Sequence, residues 1–337
     1  MLWGAALISH DRSHRERRAW RGGTRVVEPD AESAAGVVAG SVSVVPRILG
    51  RMGSQEFVRA VPRLDGMVVS AVGYRTAGQR PALHRGLPSP YLTVVFSLDG
   101  PIAGGATPDQ ATGADAVRTE IMVGGLHQSP AYLVSPEHEA GIQLAVHPMA
   151  ARALLGLPAG ALAGELVTRG ADVFGGRADE IRERLCGLAR WEDRFALLAD
   201  YLRRRAAAAD EAGPVRPEVA EAWAWLARHR GTGTVGGLSR HVALSERRLT
   251  AVFRAETGLS PKQAARLMRF QHARTAVVRS VAAGAGPDLA RVAADTGYYD
   301  HSHLVRDFQQ YTGASPTRWL AEECRNIQAG AHGTGED

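Results

Sequence analysis

Two stretches near the C-terminus repeat each other at an offset of 55 residues, and this repeat constrains the fold more than any other feature of the chain. Leu249, Phe253, Thr257, Gly258, Ser260 and Pro261 match Leu304, Phe308, Thr312, Gly313, Ser315 and Pro316. Each pair has a physical task. Leu249/Phe253 and Leu304/Phe308 stand at i, i+4 and make one apolar stripe on a helix. Gly258 and Gly313 supply the left-handed residue that ends the helix. Ser260 and Ser315 cap a new one, and Pro261 and Pro316 take its first position, where a missing N–H costs nothing. Helix, stop and restart are therefore written twice.

A shorter helix precedes each stripe. Val235, Leu238 and Val242 form one apolar face, and Leu289, Val292 and Thr296 repeat it at an offset of 54. The lost residue of register means that the second turn, around Gly297-Tyr298-Tyr299, is longer than Ala243-Leu244-Ser245. Short helix, tight turn and longer helix form the layout whose second helix enters the DNA major groove. A long helix from Pro261 to about Ala283 is expected to join the two units, and a lead-in helix is expected over Pro217 to His229 through Val219, Trp223 and Leu226.

The segment Gly297 to Pro316 resembles the signature of the AraC/XylS family of bacterial transcription regulators, and Leu238 to Pro261 resembles the first unit of that family. The resemblance covers about 110 C-terminal residues. It implies an all-α domain of seven helices with two helix-turn-helix units, placing two recognition helices in successive major grooves about 34 Å apart. Carried over by position, the first recognition helix runs from about Ser245 to Glu256, with Glu246, Arg247, Thr250, Ala251 and Arg254 facing the groove. The second runs from about Asp300 to Tyr311, with His301, Ser302, His303 and Arg306 outward. Arg247 and Arg306 are the candidates for base contacts, because a guanidinium can donate twice to guanine. Arg248 and Arg254 are assigned to phosphate, which positions without specifying. Ala251 departs from the family, offering only a methyl group where many members have a longer side chain.

Charge agrees with this reading but does not carry it. The chain has a formal net charge of +5, while residues 216–325 hold 16 Lys/Arg against 10 Asp/Glu, a net of +6. Lys262 is the only lysine among 40 basic residues, so arginine enrichment tracks genome composition as well as anion binding. Gly231-Thr-Gly-Thr-Val-Gly236 matches a dinucleotide-loop pattern, yet it follows a helix where such a loop must follow a strand. His301 and His303 stand at i, i+2 on a helix and point to different sides.

Upstream, the pattern favours strands. The runs 67–72, 91–98, 121–123 and 131–134 are apolar and bounded by turn residues, and Ile142, Leu144 and Val146 alternate. A small barrel or a sandwich fits them. After Pro148 helices take over, at residues 150–155, 179–188 and 192–209. Residues 210–216 read as a linker. The expected division is a disordered leader over 1–46, a β-rich domain over 47–148, a helical subdomain over 149–209 suited to dimerisation, the linker, the DNA-binding domain over 217–325, and a disordered tail over 326–337. Family resemblance makes the β-rich part a cupin-like sensor barrel, which gives an α+β multidomain chain.

The reading that follows is a cytoplasmic, sequence-specific transcription regulator. It binds double-stranded promoter DNA as a homodimer, responds to a small-molecule effector, and contacts RNA polymerase where it activates. It is not an enzyme and needs no cofactor or metal. Two alternatives stand beside it: an N-terminal half that serves only dimerisation or partner binding, and a metal-dependent cupin-type enzyme using His84, His127, His138 and His147. Against the second, the close histidine spacing and downstream glutamate of metal cupins are absent. Cys186 and Cys324 are too few for a disulfide framework, and no apolar run reaches the length of a membrane span.

Overall fold

The computed structural model describes residues 42–50, 53–60, 64–209, 213–282 and 286–322. Most of the expected leader, the start of the linker, the last three residues of the expected DNA-binding domain, Cys324 among them, and the expected tail lie outside them. The chain opens with the strands β1 (Val42–Gly50), β2 (Gly53–Ala60), β3 (Val68–Ala77), β4 (Ala82–Gly86), β5 (Leu92–Ser97) and β6 (Ile102–Gly105). The short helix α1 (Pro108–Thr112) leads to β7 (Val117–Thr119), β8 (Ile121–Gly124), β9 (Ala131–Ser135) and β10 (Glu139–Val146).

These strands, with β11 (Thr168–Arg169), form two sheets: seven strands in the order β1-β2-β3-β10-β5-β8-β11, and four in the order β4-β9-β6-β7. The closed cupin-like barrel expected from resemblance is not formed; of the two layouts the strand pattern allowed, two stacked sheets are present. The physical reason lies at the ends. β11 has two residues and β7 three, too short to carry hydrogen bonding around from one sheet to the other.

The alternation in β10 has a consequence the sequence left open. Ile142, Leu144 and Val146 belong to the large apolar core, but the intervening Gly141, Gln143 and Ala145 are also buried. β10 sits centrally between β3 and β5 and is covered on both faces. On β5, Val94 and Phe96 face the helical side, while Val95 packs with Tyr74, Met122, Leu133 and Val167 between the sheets. The period of two therefore marks which layer a residue meets, not which side is wet.

The helical side consists of α2 (Ala151–Leu155), the 3-10 turn Ala159–Leu162, α3 (Gly170–Phe174), α4 (Arg177–Cys186) and α5 (Trp191–Ala207). α5 buries Trp191, Phe195, Leu198, Tyr201 and Leu202. Its apolar face is thus spent on the chain's own core. The C-terminal part comprises α6 (Pro217–Arg228), α7 (Val235–His241), α8 (Glu246–Thr257), α9 (Pro261–Ala282), α10 (Leu289–Asp295), α11 (His301–Thr312) and a further helical segment over 316–322, seven helical segments among the described residues. One apolar cluster runs unbroken from Val58 through Leu144 and Leu202 to Phe308 and Trp319, joining the two parts.

Candidate nucleic-acid interface

The restart chemistry forms in both units. α8 ends on Gly258 at φ 79° and α11 on Gly313 at φ 72°, a backbone region open to glycine and costly for other residues. Thr257 donates through Oγ1 to the Phe253 carbonyl at 2.8 Å, and Thr312 repeats this to the Phe308 carbonyl at 2.7 Å. The Ser260 side chain and Gln263 form a reciprocal cap at the start of α9. At the other ends, Ser245 accepts from the Arg248 amide at 3.3 Å and Asp300 from the His303 amide at 2.7 Å. The turns differ as the register predicts. Residues 242–245 separate α7 from α8, and 296–300 separate α10 from α11. The positive-φ residue is Ala243 in the first turn and Gly297 in the second.

Each recognition helix is seated by aromatic packing. Phe253 stacks on Trp223 at 5.9 Å, and Phe308 packs against Phe270 at 5.1 Å and Trp319 at 5.7 Å. With Leu249, Phe253, Glu256 and Thr257 buried, α8 turns Glu246, Arg247, Arg248, Ala251 and Arg254 outward and leaves Thr250 half-buried. Arg247, Ala251 and Arg254 share one stripe by their i, i+4, i+7 spacing, whereas Arg248 stands about 100° round the helix from Arg247. On α11, His301, Ser302 and Arg306 are exposed, and Arg306 Nε donates to the Ser302 carbonyl at 3.3 Å. His303 is half-buried, edge-on to Tyr298 at 5.1 Å.

Two outward residues escaped sequence reasoning. Gln309 is exposed on the stripe of Ser302 and Arg306, and its i+7 spacing from Ser302 was the available signal. Tyr299, 93% exposed in the longer turn, is the most exposed large hydrophobic among the described residues; the insertion itself marked it. Superposing the units by their offset places Arg306 at the position of Ala251, and Ser302 at that of Arg247. The two helices therefore present arginine at different points along the groove.

The polar anchors beneath the helices also differ. Under α11, Asp307 is fully buried and accepts from Arg266 Nε at 2.7 Å and Nη2 at 2.6 Å. Burial, and after it the Asp307 charge, push the Tyr298 phenol upward. Under α8, Glu256 accepts from Arg152 Nε and Nη2, each at 2.9 Å, and Arg152 lies on α2, before the linker. The hydrogen bonds to Glu256 raise the Arg152 pKa and keep it charged. Gly160 closes the same contact: a Cβ there would stand 2.5 Å from the Ala255 carbonyl oxygen. Elsewhere, Arg85 reaches Glu322 at 2.7 Å and Gln310 reaches the Gln128 carbonyl at 3.4 Å.

The glycines of the 231–236 loop have packing roles: a Cβ on Gly231 would strike Ala265 of α9, and one on Gly233 the Trp225 ring. Of the four N-terminal histidines, His84 and His127 line one small cavity of about 40 Å³, His138 is exposed beside Glu137, and His147 lies edge-on to Trp223. Burial lowers the pKa of His84, His127 and His147. Among the described residues no group of three or more side chains is placed to hold a metal ion. No described helix is long and apolar enough to cross a membrane.

Two three-dimensional units of helix, turn and recognition helix, joined by α9, define a double helix-turn-helix domain. Residues 238–322 match a protein family described as a helix-turn-helix domain. No curated protein matches the chain at a significant level. Among solved structures, ToxT from Vibrio cholerae is similar at 8% identity, with 74% of this chain and 97% of that one covered and a TM-score of 0.43. The DNA-binding domain of AdpA, a global transcriptional factor in complex with a target DNA, matches at 25% identity over 34% of this chain and 99% of its own, with a TM-score of 0.29. The C-terminal domain of AraT, a response regulator from Geobacillus stearothermophilus, matches at 17% identity over 33% and 88%, also at 0.29.

Proposed function

We propose that the protein is a sequence-specific transcription regulator that reads double-stranded DNA with α8 and α11 in successive major grooves. The observation that carries this is the paired display of outward polar side chains on two helices, each capped and seated in the same way. Arg247 and Arg306 make the base contacts. Arg248 and Arg254 meet phosphate, and Thr250, Ala251, His301, Ser302 and His303 complete the surface, with Gln309 and Tyr299 added from the structure. Capture by the basic domain supplies most of the affinity and the salt dependence. The test is Arg306→Ala, measured against a target site and against single-base variants of it. Specific affinity falls by about 1–3 kcal/mol and the preference relaxes at one base position. An equal loss on every sequence would make Arg306 a phosphate contact.

The boundaries proposed are a β-rich half to residue 148, a helical layer over 149–209, and a DNA-binding domain over 217–325. In this reading the first two form a sensor half. The support is its contact with α8 through Arg152–Glu256 and Gly160, which gives an effector a route to one recognition helix. The cavity lined by His84 and His127, about 40 Å³, has room for little beyond water. Because α5 spends its apolar face on the core, a dimer contact through that face is left out of the proposal.

A further inference from the structure

A second concavity lies outside the sheets and away from the outward faces of α8 and α11. It is a cleft of about 630 Å³ between α2, α4 and α5, a size usual for small-molecule sites. Arg152, Arg177, Arg184, Arg204 and Arg205 line it, and Glu180 is the one acidic residue on its wall. The chain is rich in arginine throughout, so their number proves little. Their state is more informative. Arg205 is held in place, donating through Nε to the Leu154 carbonyl at 2.7 Å and lying over the rings of Phe174 and Tyr201. Arg152 is held by Glu256. Arg177, Arg184 and Arg204 have no hydrogen-bond or ion-pair partner among the described residues.

Beneath the arginines lies a buried aromatic side chain. Tyr201 lines the cleft at 9% exposure, and its hydroxyl has no hydrogen-bond partner among the described residues. A buried hydroxyl left unsatisfied costs about 1–3 kcal/mol. Beside it, Ile181, Ala153 and Ala208 offer apolar wall. Convergent guanidiniums suit the several oxygens of a phosphate group, which they can grip in pairs. The apolar wall suits an organic remainder.

We infer that this cleft binds a small organic polyphosphate, gripped by Arg177, Arg184, Arg204 and Arg205. Arg152 belongs both to the cleft and to the bidentate contact with Glu256. An anion drawn onto Arg152 weakens its hold on Glu256, at the end of α8 opposite Arg247, and so alters the seat of the first recognition helix. This consequence for DNA rests on the proposed regulatory function. The binding itself is read without DNA, so the two can fail separately.

The experiment is calorimetric titration of the full-length protein with ATP, and with inorganic pyrophosphate, at physiological salt. Saturable binding of both is expected. The double variant Arg184→Ala/Arg204→Ala should bind each at least about tenfold more weakly. Arg203→Ala, whose side chain is exposed and paired with Asp200, should bind like the parent. Absence of saturable binding by both probes at millimolar concentration overturns the inference, as does undiminished binding by the double variant with its thermal unfolding unchanged. Random-sequence DNA is the remaining arm: if the double variant loses affinity for it while neither probe binds the parent, the arginines serve the DNA backbone and the inference fails.

Discussion

The two helix-turn-helix units share their stop-and-restart chemistry and differ in what holds them. α11 stands on an anchor internal to the C-terminal domain, the Asp307–Arg266 contact, in which the carboxylate is wholly buried. α8 stands on an anchor lent by the other half of the chain, Arg152 against Glu256, with Gly160 packed flush on its last turn. The lesson is that duplication of a motif does not duplicate its control. The second unit keeps its buried anchor within its own domain, although Arg85 and Gln310 also tie the end of α11 to the β-rich half. The polar anchor of the first depends on α2 and the turn after it staying in place.

The largest effect that sharpens this contrast is expected at Arg266. Arg266→Met leaves a fully buried carboxylate without its cation and should destabilise the protein by about 3–5 kcal/mol, read by denaturant unfolding. Arg152→Met, at a contact whose carboxylate is 7% exposed where that of Asp307 is fully buried, should cost only about 1–3 kcal/mol. If Arg152→Met proves the more damaging, the assignment of internal and lent anchors is reversed.

Next in size is the effect on base reading. Arg247→Ala should lower specific affinity by about 1–3 kcal/mol, as for Arg306→Ala, but at a base in the other half of the site. Because Arg306 aligns with Ala251 and Arg247 with Ser302, the two variants should relax preference at different depths within their half-sites. Loss at the same relative position in both would break the offset argument. Binding to a pool of single-base variants checks this.

Gly160→Leu should be smaller in stability and selective in function. The side chain must displace the last turn of α8, a strain of about 1–3 kcal/mol. Relaxed preference is expected in the half-site read by α8, with the other half-site unchanged. Equal loss in both halves would show that the units move together. The smallest effect concerns acidity. His84, His127 and His147 have folded pKa values below the ordinary histidine value because burial disfavours their charge. The unfolded chain therefore takes up more protons than the folded one as pH falls through the unfolded histidine range, so stability is present above it and declines below. The melting temperature should drop between about pH 7.5 and 5.5, and replacing His84 by Asn should flatten part of that slope.

The C-terminal domain was legible because its signals are local. Leu249 and Phe253 are four residues apart, and Gly258, Ser260 and Pro261 follow at once. The outward faces of α8 and α11 then fall out of helix geometry, except at Thr250, which is half-buried, and at His303, whose ring is drawn half under by Tyr298. What sequence could not show is long-range. Arg152 and Glu256 are 104 positions apart, and nothing near either announces the other. Strand existence was readable at 92–97 and 139–146, but the placing of β10 between β3 and β5 depends on pairings between distant segments. β4, over Ala82–Gly86, carries little apolar pattern and gained its strand only from pairing with β9. The two-sheet layout, like the arginine-lined cleft, is a property of elements meeting, not of any one element.

The most direct test of the account is selection of the full-length protein on a random duplex pool at physiological salt. Two short blocks of preferred sequence are expected, centred about one helical turn, roughly 10 base pairs, apart, with Arg247→Ala blurring one block and Arg306→Ala the other. A pool that emerges with no enrichment, or with a single block that both variants erase alike, would contradict the claim that two recognition helices read successive grooves.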